Sequence, residues 1–362
     1  MRSSRLTCSR DGSKVDAMPR GLFPLALGLA IGLVFLVSPA GSSGRAGGVV
    51  DGCSTGSVPA FITGKHVCLK QGSPCKRLVD IQYRRYGFAC KRGRLTRLPN
   101  TKIFSAFVDV GGYRLAMLCR GRGTPTVVTE SGFDNSGWEF SHVQTKLAKT
   151  VRFCFYDRAG LGASDSRKPS GPVPAVRVAE DLHALLTGAG IKPPYVLGGW
   201  SIGGFFVRLY TERYPDEVVG LVTLDGTPFG VPPGLPPVPP GADVIQGRES
   251  FYLAAADAEL AASPNLGARP LVVLMQNIEL PPQDPGEAMW LKLQKQVARF
   301  STSSILARAD TSGHSIAIDQ PNLTAEAFRQ VIAAVRAHRA LPACSRTRLP
   351  HFHGTCIDPN SP

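Results

Sequence analysis

The sequence predicts an α/β fold in which a mostly parallel sheet carries helices on both faces. The main observation is an apolar run from Tyr195 that ends in residues 199–203 (Gly-Trp-Ser-Ile-Gly) and passes into a helical pattern at Phe205. The chain here reads as a strand, a sharp turn and a helix. Buried strands and amphipathic helices follow one another on either side of this stretch, and His314 lies on a glycine loop after the last predicted strand. This is the organisation of an α/β domain.

The turn at Ser201 has the spacing of a nucleophile elbow. Ser201 would adopt strained backbone angles that only small neighbours allow, which explains Gly199 and Gly203 on either side of it. The hydroxyl would then be exposed at the tip of the turn. The Ile202 N–H, at the start of the helix, would be free to stabilise an oxyanion.

The chain from about residue 104 to 340 resembles the α/β-hydrolase superfamily, in its serine esterase and lipase branch. The segments that carry the resemblance occur in the family's order and are 127–133, 156–165, 199–203, 221–225 and 312–316. The resemblance implies a mostly parallel eight-stranded sheet with helices on both faces and a short Pro-rich cap. It is far more specific for the fold than for the substrate.

The resemblance assigns Ser201 as the nucleophile and His314 as its base, since a serine hydroxyl needs an imidazole to take its proton. Of the seven histidines, only His314 follows the last strand on a glycine loop. The Phe133 N–H would be the second oxyanion donor, although Ser131 stands where the family has a histidine. Asp157 and Arg158 are expected to have the structural role of fixing the turn at 160–165.

The acid of the triad is predicted to be Asp225, which follows the strand 218–224. A carboxylate there could hold the Nδ1–H of His314. The usual family position follows the next strand, where the sequence offers Glu279 and Asp284 as alternatives. Asp225 could instead cap the turn formed with Gly226 and Thr227.

The N-terminal residues 1–40 are predicted to be a secretory signal. An apolar run at 21–37 follows Arg20 and precedes small residues that suit a signal peptidase, and Met18 is an alternative start. An uncleaved membrane anchor is the alternative. Both interpretations place the rest of the chain outside the cytoplasm, secreted or at the cell surface. Residues 41–50 form a Gly/Ser-rich linker.

Residues 51–100 form a small module with four cysteines, which in an exported protein predicts a disulfide framework. Three pairings are open, and a zinc site is disfavoured because no Cys-x-x-Cys pair is present. The cysteines are Cys53, Cys68, Cys75 and Cys90.

The charge of the chain is concentrated in its N-terminal part. The net charge is +14, and residues 41–100 contain eleven Lys or Arg against two Asp, or +9. This favours binding to an anionic cell-surface polymer or to lipid headgroups, with a merely solvated cationic patch as the alternative. Nucleic acid is a poor candidate for an exported chain.

The main domain is predicted to span residues 101–341, with a small cap at 227–269, and 342–362 to form a tail. Seven of the thirteen residues in 228–240 are proline, which excludes a helical lid there. The family's strand order allows a Cys119–Cys154 disulfide, with two buried thiols as the alternative, and Cys344 and Cys356 would close the tail. Expected helices are 138–149, 176–188, 249–262, 286–300 and 323–339; expected strands include 151–156, 218–224, 270–275 and 304–307.

The predicted function is that of an exported serine hydrolase that cleaves a small carboxylic ester through a covalent acyl-enzyme, without a metal or organic cofactor. Serine at the elbow argues against dehalogenase and epoxide-hydrolase chemistry. An aminopeptidase of the proline-iminopeptidase type is one alternative, although its cap normally supplies carboxylates for the substrate amine. The other alternative is a non-catalytic surface-binding protein that acts through the basic module.

Overall fold

The structure is a computed structural model that describes residues 52–99, 102–227, 244–262, 265–277 and 285–361. The chain divides into two compact units, Met1–Gly44 and Arg45–Pro362, and every described residue belongs to the second. The predicted signal, the linker and the Pro-rich part of the cap therefore lie outside the described residues. Within the described part, no helix has the length and apolar character needed to cross a membrane.

The Cys-rich module consists of two β-hairpins on either side of a short helix. Two disulfides, Cys53–Cys68 and Cys75–Cys90, select one of the three open pairings. The two hairpins and the helix share a small core that includes the buried Phe88 and Leu95. The elements are β1 (Val58–Ile62), β2 (Lys65–Leu69), α1 (Asp80–Arg85), β3 (Phe88–Lys91) and β4 (Arg94–Arg97).

The module packs directly against the main domain. The His66 ring contacts the Phe107 ring with centroids 4.3 Å apart, and the Arg85 guanidinium lies 4.2 Å from the centroid of Trp138. Arg120 also donates a hydrogen bond to the carbonyl oxygen of Arg85 at 3.0 Å. The contacts are a mixture of aromatic, cation–π and hydrogen-bonding interactions, so the module is docked on the main domain.

The first half of the main domain runs from a hairpin to the elbow strand. Gly111 and Gly112 make the predicted hairpin turn, and both have positive φ. The elements are β5 (Ile103–Asp109), β6 (Arg114–Arg120), β7 (Thr126–Glu130), α2 (Ser141–Leu147), β8 (Phe153–Tyr156), β9 (Val173–Pro174), α3 (Val176–Gly188) and β10 (Tyr195–Trp200).

The second half begins with the elbow helix and ends with a strand formed by the tail. Its elements are α4 (Ile202–Arg213), β11 (Val218–Leu224), β12 (Val244–Gln246), β13 (Ser250–Tyr252), α5 (Ala254–Ala262), β14 (Leu271–Gln276), α6 (Pro285–Ala298), β15 (Ser304–Ala309), α7 (Ile316–Asp319), α8 (Pro321–Arg336) and β16 (Gly354–Ile357).

The central sheet has the order β16-β15-β14-β11-β10-β7-β8-β6-β5. The six strands from β15 to β8 are parallel, while β5, β6 and β16 are antiparallel to their neighbours. Side chains alternate between two cores, as Leu197 and Val196 show. One face is covered by α3 and α4 and the other by α2 and α8. The predicted α/β fold with a mostly parallel sheet is confirmed.

Three details differ from the prediction. The sheet has nine strands, because the tail adds β16 beside β15, with Cys356 opposite Ala307. The expected helix at 138–149 begins as a 3₁₀ turn, Gly137–Phe140. The start of the expected helix at 249–262 is strand β13, since Phe251 pairs with Val173 of β9. Both added strands form through partners distant in the sequence.

The remaining cysteines of the described residues also form disulfides. Cys119 on β6 and Cys154 on β8 are directly opposite each other in the antiparallel pair and are bonded. Cys344 and Cys356 close the tail. The disulfide alternative, rather than two buried thiols, is therefore the one that the structure contains.

Candidate active site

Ser201 stands between β10 and α4 with a backbone conformation of φ 55° and ψ −127°. A Cβ added at Gly203 would lie 2.5 Å from the Glu130 carbonyl oxygen, and one added at Gly199 would lie 2.3 Å from the Gly203 carbonyl oxygen. Real side chains do not tolerate such contacts, so close backbone packing explains the two glycines. The half-buried Ser201 is thus held in the left-handed region that non-glycine residues rarely adopt.

The two backbone N–H groups predicted to stabilise an oxyanion are those of Ile202 and Phe133. Ile202 is the first residue of α4, so its N–H has no acceptor within the helix. In the loop after β7, no acceptor among the described residues contacts the Phe133 N–H. Ser131, at the position of the family's histidine, donates from its hydroxyl to the Asn135 carbonyl oxygen at 2.6 Å and so closes this loop.

His314 and Asp225 are directly paired, with 2.6 Å between His314 Nδ1 and Asp225 Oδ2. The Asp225 carboxylate is fully buried, while 46% of the His314 side chain is exposed. The other oxygen, Oδ1, accepts hydrogen bonds from the Gln276 N–H at 3.1 Å and from the Trp290 Nε1–H at 2.7 Å. The carboxylate is therefore fixed by three partners and presents one oxygen to the imidazole.

The histidine loop is also attached to the elbow strand. Trp200, the residue before Ser201, donates from Nε1 to the His314 carbonyl oxygen at 2.6 Å. Ser201 and Asp225 follow the adjacent parallel strands β10 and β11, whose last residues Trp200 and Leu224 are in register. Among the described residues, the Ser201 hydroxyl makes no hydrogen bond to His314. Of the alternative acids, Glu279 and Asp284 lie outside the described residues.

Arg158 holds the loop that carries Phe133, a contact that the sequence analysis did not predict. Its buried guanidinium donates to the carbonyl oxygens of Ser131 and Gly132, each at 2.8 Å. It also forms ion pairs with Glu130 at 3.1 Å and Glu249 at 2.5 Å. Burial opposes the charge of Arg158, but Glu249 and Glu130 raise its pKa above the ordinary value.

Glu249 completes the fixation from the cap. Its Oε1 accepts a hydrogen bond from the Asp134 N–H at 2.9 Å, and the Asp134 carboxylate in turn accepts one from the Glu249 N–H at 3.1 Å. Phe133 is thus held on both sides, through the carbonyl of Gly132 and the N–H of Asp134. The contacts of Arg158 and Glu249 therefore set the direction of the Phe133 N–H, which is the predicted second oxyanion donor.

The expectation for the pair Asp157 and Arg158 was only half right. Asp157 does fix the turn at 160–165, since its carboxylate accepts from the Ala163 N–H at 2.9 Å, and it also accepts from the Gly137 N–H. The Arg158 side chain instead contacts the loop after β7, at Ser131 and Gly132. Its decisive partner Glu249 is 91 residues further along the chain, so no local pattern could reveal the contact.

Glu139 is a second acidic group near the imidazole. It is half-buried on the 3₁₀ turn Gly137–Phe140. Burial raises the pKa of Glu139 to about 7, and the charge of nearby His314 opposes that rise. In the described part of the chain, this site included, no group of three or more His, Cys, Asp or Glu side chains could hold a metal ion.

Comparison with known proteins identifies the family. The model of a family described as alpha/beta hydrolase fold matches residues 125–332. A vacuolar membrane protein of Saccharomyces cerevisiae (strain YJM789), uncharacterized, is 36% identical over 99 residues, which are 26% of this chain and 14% of that protein. The chain matches less than a fifth of the length of the first curated relatives.

The solved structures that are similar to this chain include an esterase and a candidate epoxide hydrolase. A thermophilic esterase from Thermogutta terrifontis has a TM-score of 0.47 and 20% identity over 62% of this chain and 94% of its own. A mutant of a candidate epoxide hydrolase from Pseudomonas aeruginosa has a TM-score of 0.50 and 17% identity over 66% of this chain and 98% of its own. The family model matches more than half of the length of this chain, which therefore belongs to the alpha/beta hydrolase fold family.

Proposed function

We propose that this protein is a serine hydrolase that cleaves a carboxylic ester through a covalent acyl-enzyme. The observation that carries the proposal is the strained Ser201 at the end of β10. The neighbouring strand β11 leads into Asp225, whose Oδ2 lies 2.6 Å from His314 Nδ1. A nucleophile, a base and a group that orients the base are the three parts that acyl transfer requires.

In the first half of the reaction, Ser201 Oγ attacks the ester carbonyl carbon while Nε2 of His314 takes the hydroxyl proton. Asp225 holds the Nδ1–H, so Nε2 is free to accept, and its carboxylate stabilises the imidazolium that forms. The negative charge on the substrate oxygen is stabilised by the N–H groups of Ile202 and Phe133. The C–O bond to the alcohol then breaks, and the imidazolium gives its proton to the leaving oxygen.

In the second half, water attacks the acyl-serine carbonyl and loses a proton to His314. The same two N–H groups stabilise the second oxyanion. When that intermediate collapses, the proton returns to Ser201 Oγ and the carboxylic acid leaves. The free serine and neutral imidazole are restored, so no other reactant is consumed.

Glu139 bears on the aminopeptidase alternative. A carboxylate near His314 could hold the ammonium group of a peptide N-terminus. Its raised pKa of about 7 means that much of the population is uncharged at neutral pH, which makes it a weak ammonium site. An ester substrate is the better fit.

The test compares two substrate classes on the wild type and on Ser201→Ala. We expect turnover of short p-nitrophenyl esters that disappears in Ser201→Ala, and slower turnover of prolyl and alanyl p-nitroanilides. Faster turnover of the nitroanilides would favour the aminopeptidase. A folded wild type that turns over neither class would favour the surface-binding alternative.

We also propose that the protein works outside the cytoplasm. Four disulfides within the described residues are typical of oxidising compartments. Expression with residues 1–40 fused to a reporter tests export. Retention of the reporter in the cytoplasm would contradict this part of the proposal.

A further inference from the structure

The two most exposed large apolar side chains of the described residues are adjacent on the Cys-rich module. Leu78 is 97% exposed and Ile81 is 68% exposed. They are three residues apart, at the junction of the 3₁₀ turn Arg77–Val79 and α1, and this spacing places side chains on one side of a helical segment. A single exposed leucine or isoleucine is common on protein surfaces, whereas two neighbouring ones on one small module are typical of an interaction surface.

The fold of the module fixes this pair in its exposed position. Val79 and Tyr83, four residues apart, pack into the core of the module and so direct the opposite side of the segment outwards. The Cys75–Cys90 disulfide joins the start of the segment to β3. The Cys90 N–H also donates to the Asp80 carboxylate at 2.5 Å. The exposed pair therefore lies on a segment that a disulfide and a hydrogen bond hold in place.

The same contacts surround the apolar pair with cations. Lys76 and Arg77 directly precede Leu78, and both are exposed. The Cys75–Cys90 disulfide and the Cys75 N–H, which donates to the Gly93 carbonyl oxygen at 3.0 Å, bring the β3–β4 turn alongside. That turn carries the exposed Lys91 and Arg92. We call this set the docking face: Lys76, Arg77, Leu78, Ile81, Lys91 and Arg92.

Negative charge does little to offset these cations. Between residues 52 and 99 the sequence contains ten Lys or Arg and one acidic residue, Asp80. The Asp80 carboxylate is already engaged by the Cys90 N–H and by the Arg84 Nε–H at 2.6 Å. The charge of Asp80 is thus largely balanced by Arg84, and Lys76, Arg77, Lys91 and Arg92 dominate the potential around the apolar pair.

We propose that the docking face binds the surface of an anionic lipid membrane. The cations would contact headgroup phosphates, while Leu78 and Ile81 enter the boundary between headgroups and acyl chains. A purely polar anionic polymer fits the cations but offers nothing to the two aliphatic side chains. The combination of both features therefore favours lipid, and the proposal is independent of what the site at Ser201 hydrolyses.

The experiment uses the chain from Gly41 onward, which removes the apolar N-terminal run and leaves the compact unit Arg45–Pro362 whole. Co-sedimentation with vesicles of phosphatidylcholine, with and without phosphatidylglycerol, gives the partition coefficient. We expect binding to the phosphatidylglycerol vesicles, weakened by salt, and little binding to phosphatidylcholine alone. The double variant Leu78→Ser/Ile81→Ser should lose about tenfold for each side chain.

The second double variant, Lys76→Gln/Arg77→Gln, should lose about fivefold for each charge. Matched controls are Met289→Ser, 45% exposed on α6, and Lys146→Gln/Lys149→Gln on the main domain; both should bind as the wild type does. All substituted side chains are exposed, so melting temperatures should stay unchanged.

Three results would overturn the proposal. One is a wild type that does not bind phosphatidylglycerol vesicles at low salt. Another is equal binding to phosphatidylcholine alone. The third is a Leu78→Ser/Ile81→Ser variant that binds within twofold of the wild type while the charge variant does not, because the cations would then act without insertion.

Discussion

The most informative single substitution is Asp225→Asn, because the surroundings of Asp225 determine how the new amide must be oriented. An asparagine has one acceptor oxygen and one NH2 group in place of two equivalent oxygens. In the wild type, Oδ1 accepts from the Gln276 N–H at 3.1 Å and from the Trp290 Nε1–H at 2.7 Å. The amide oxygen must take this position, since an NH2 group there would oppose both donors.

The amide NH2 then faces His314 Nδ1, where Oδ2 lies at 2.6 Å in the wild type. Nδ1 has to accept a hydrogen bond, so the proton of the neutral imidazole moves to Nε2. An Nε2–H cannot take the proton of Ser201. In serine proteases the same change lowers kcat by about 10⁴-fold, or about 5.4 kcal/mol in the barrier.

The assay is p-nitrophenyl ester hydrolysis at neutral pH, with the melting temperature measured on the same samples. Asp216→Asn is the matched control, because Asp216 is exposed and lies before β11, at the end opposite Asp225. It should leave kcat unchanged. A folded Asp225→Asn variant with kcat within tenfold of the wild type would refute the assignment of Asp225 as the acid.

Three further substitutions test other parts of the account. Arg158→Met leaves Glu130 and Glu249 without their buried cation, so the free energy of unfolding should fall by about 3–5 kcal/mol and kcat should fall up to about 10²-fold. An unchanged kcat in a folded variant would exclude a role of Arg158 in positioning the Phe133 N–H. The Glu139 pKa is raised from 4.5 to about 7, so its contribution to wild-type stability should fall as the pH rises from 4.5 to about 7. The free energy of unfolding of Glu139→Gln, relative to the wild type, should therefore increase as the pH rises through that range and stay constant above it. A difference that does not change with pH would contradict the shift. Cys119→Ala/Cys154→Ala opens a link across 35 residues and should cost about 4 kcal/mol in denaturant unfolding; an unchanged midpoint would contradict it.

The features that the sequence predicted well are those that local physics determines. The helix at 176–188 and the strand at 218–224 have the predicted bounds, because their apolar periodicity is uninterrupted and turns punctuate both ends. The turn at Ser201 could equally be predicted from the sequence, since only glycine fits at positions 199 and 203. Asp225 was predicted from the end of its strand, and the structure places it beside His314, although its catalytic role remains a prediction.

Features that depend on distant partners could not be predicted. Strand β16 forms because the tail returns to the sheet edge, where Cys356 lies opposite Ala307. Arg158, which contacts the loop after β7, is paired with Glu249, 91 residues away. The exposure of Leu78 is another example, because apolar residues in a Cys-rich module are expected in its core until the disulfide pairing and the packing of Val79 and Tyr83 are known.

The central claim is that Ser201 is an activated nucleophile. The most direct measurement is labelling of the chain from Gly41 onward with a fluorophosphonate, followed by peptide mapping of the modified residue. The account predicts one modified serine, Ser201, and no labelling in Ser201→Ala. A folded wild type that is not labelled, or that is labelled equally in Ser201→Ala, would contradict it.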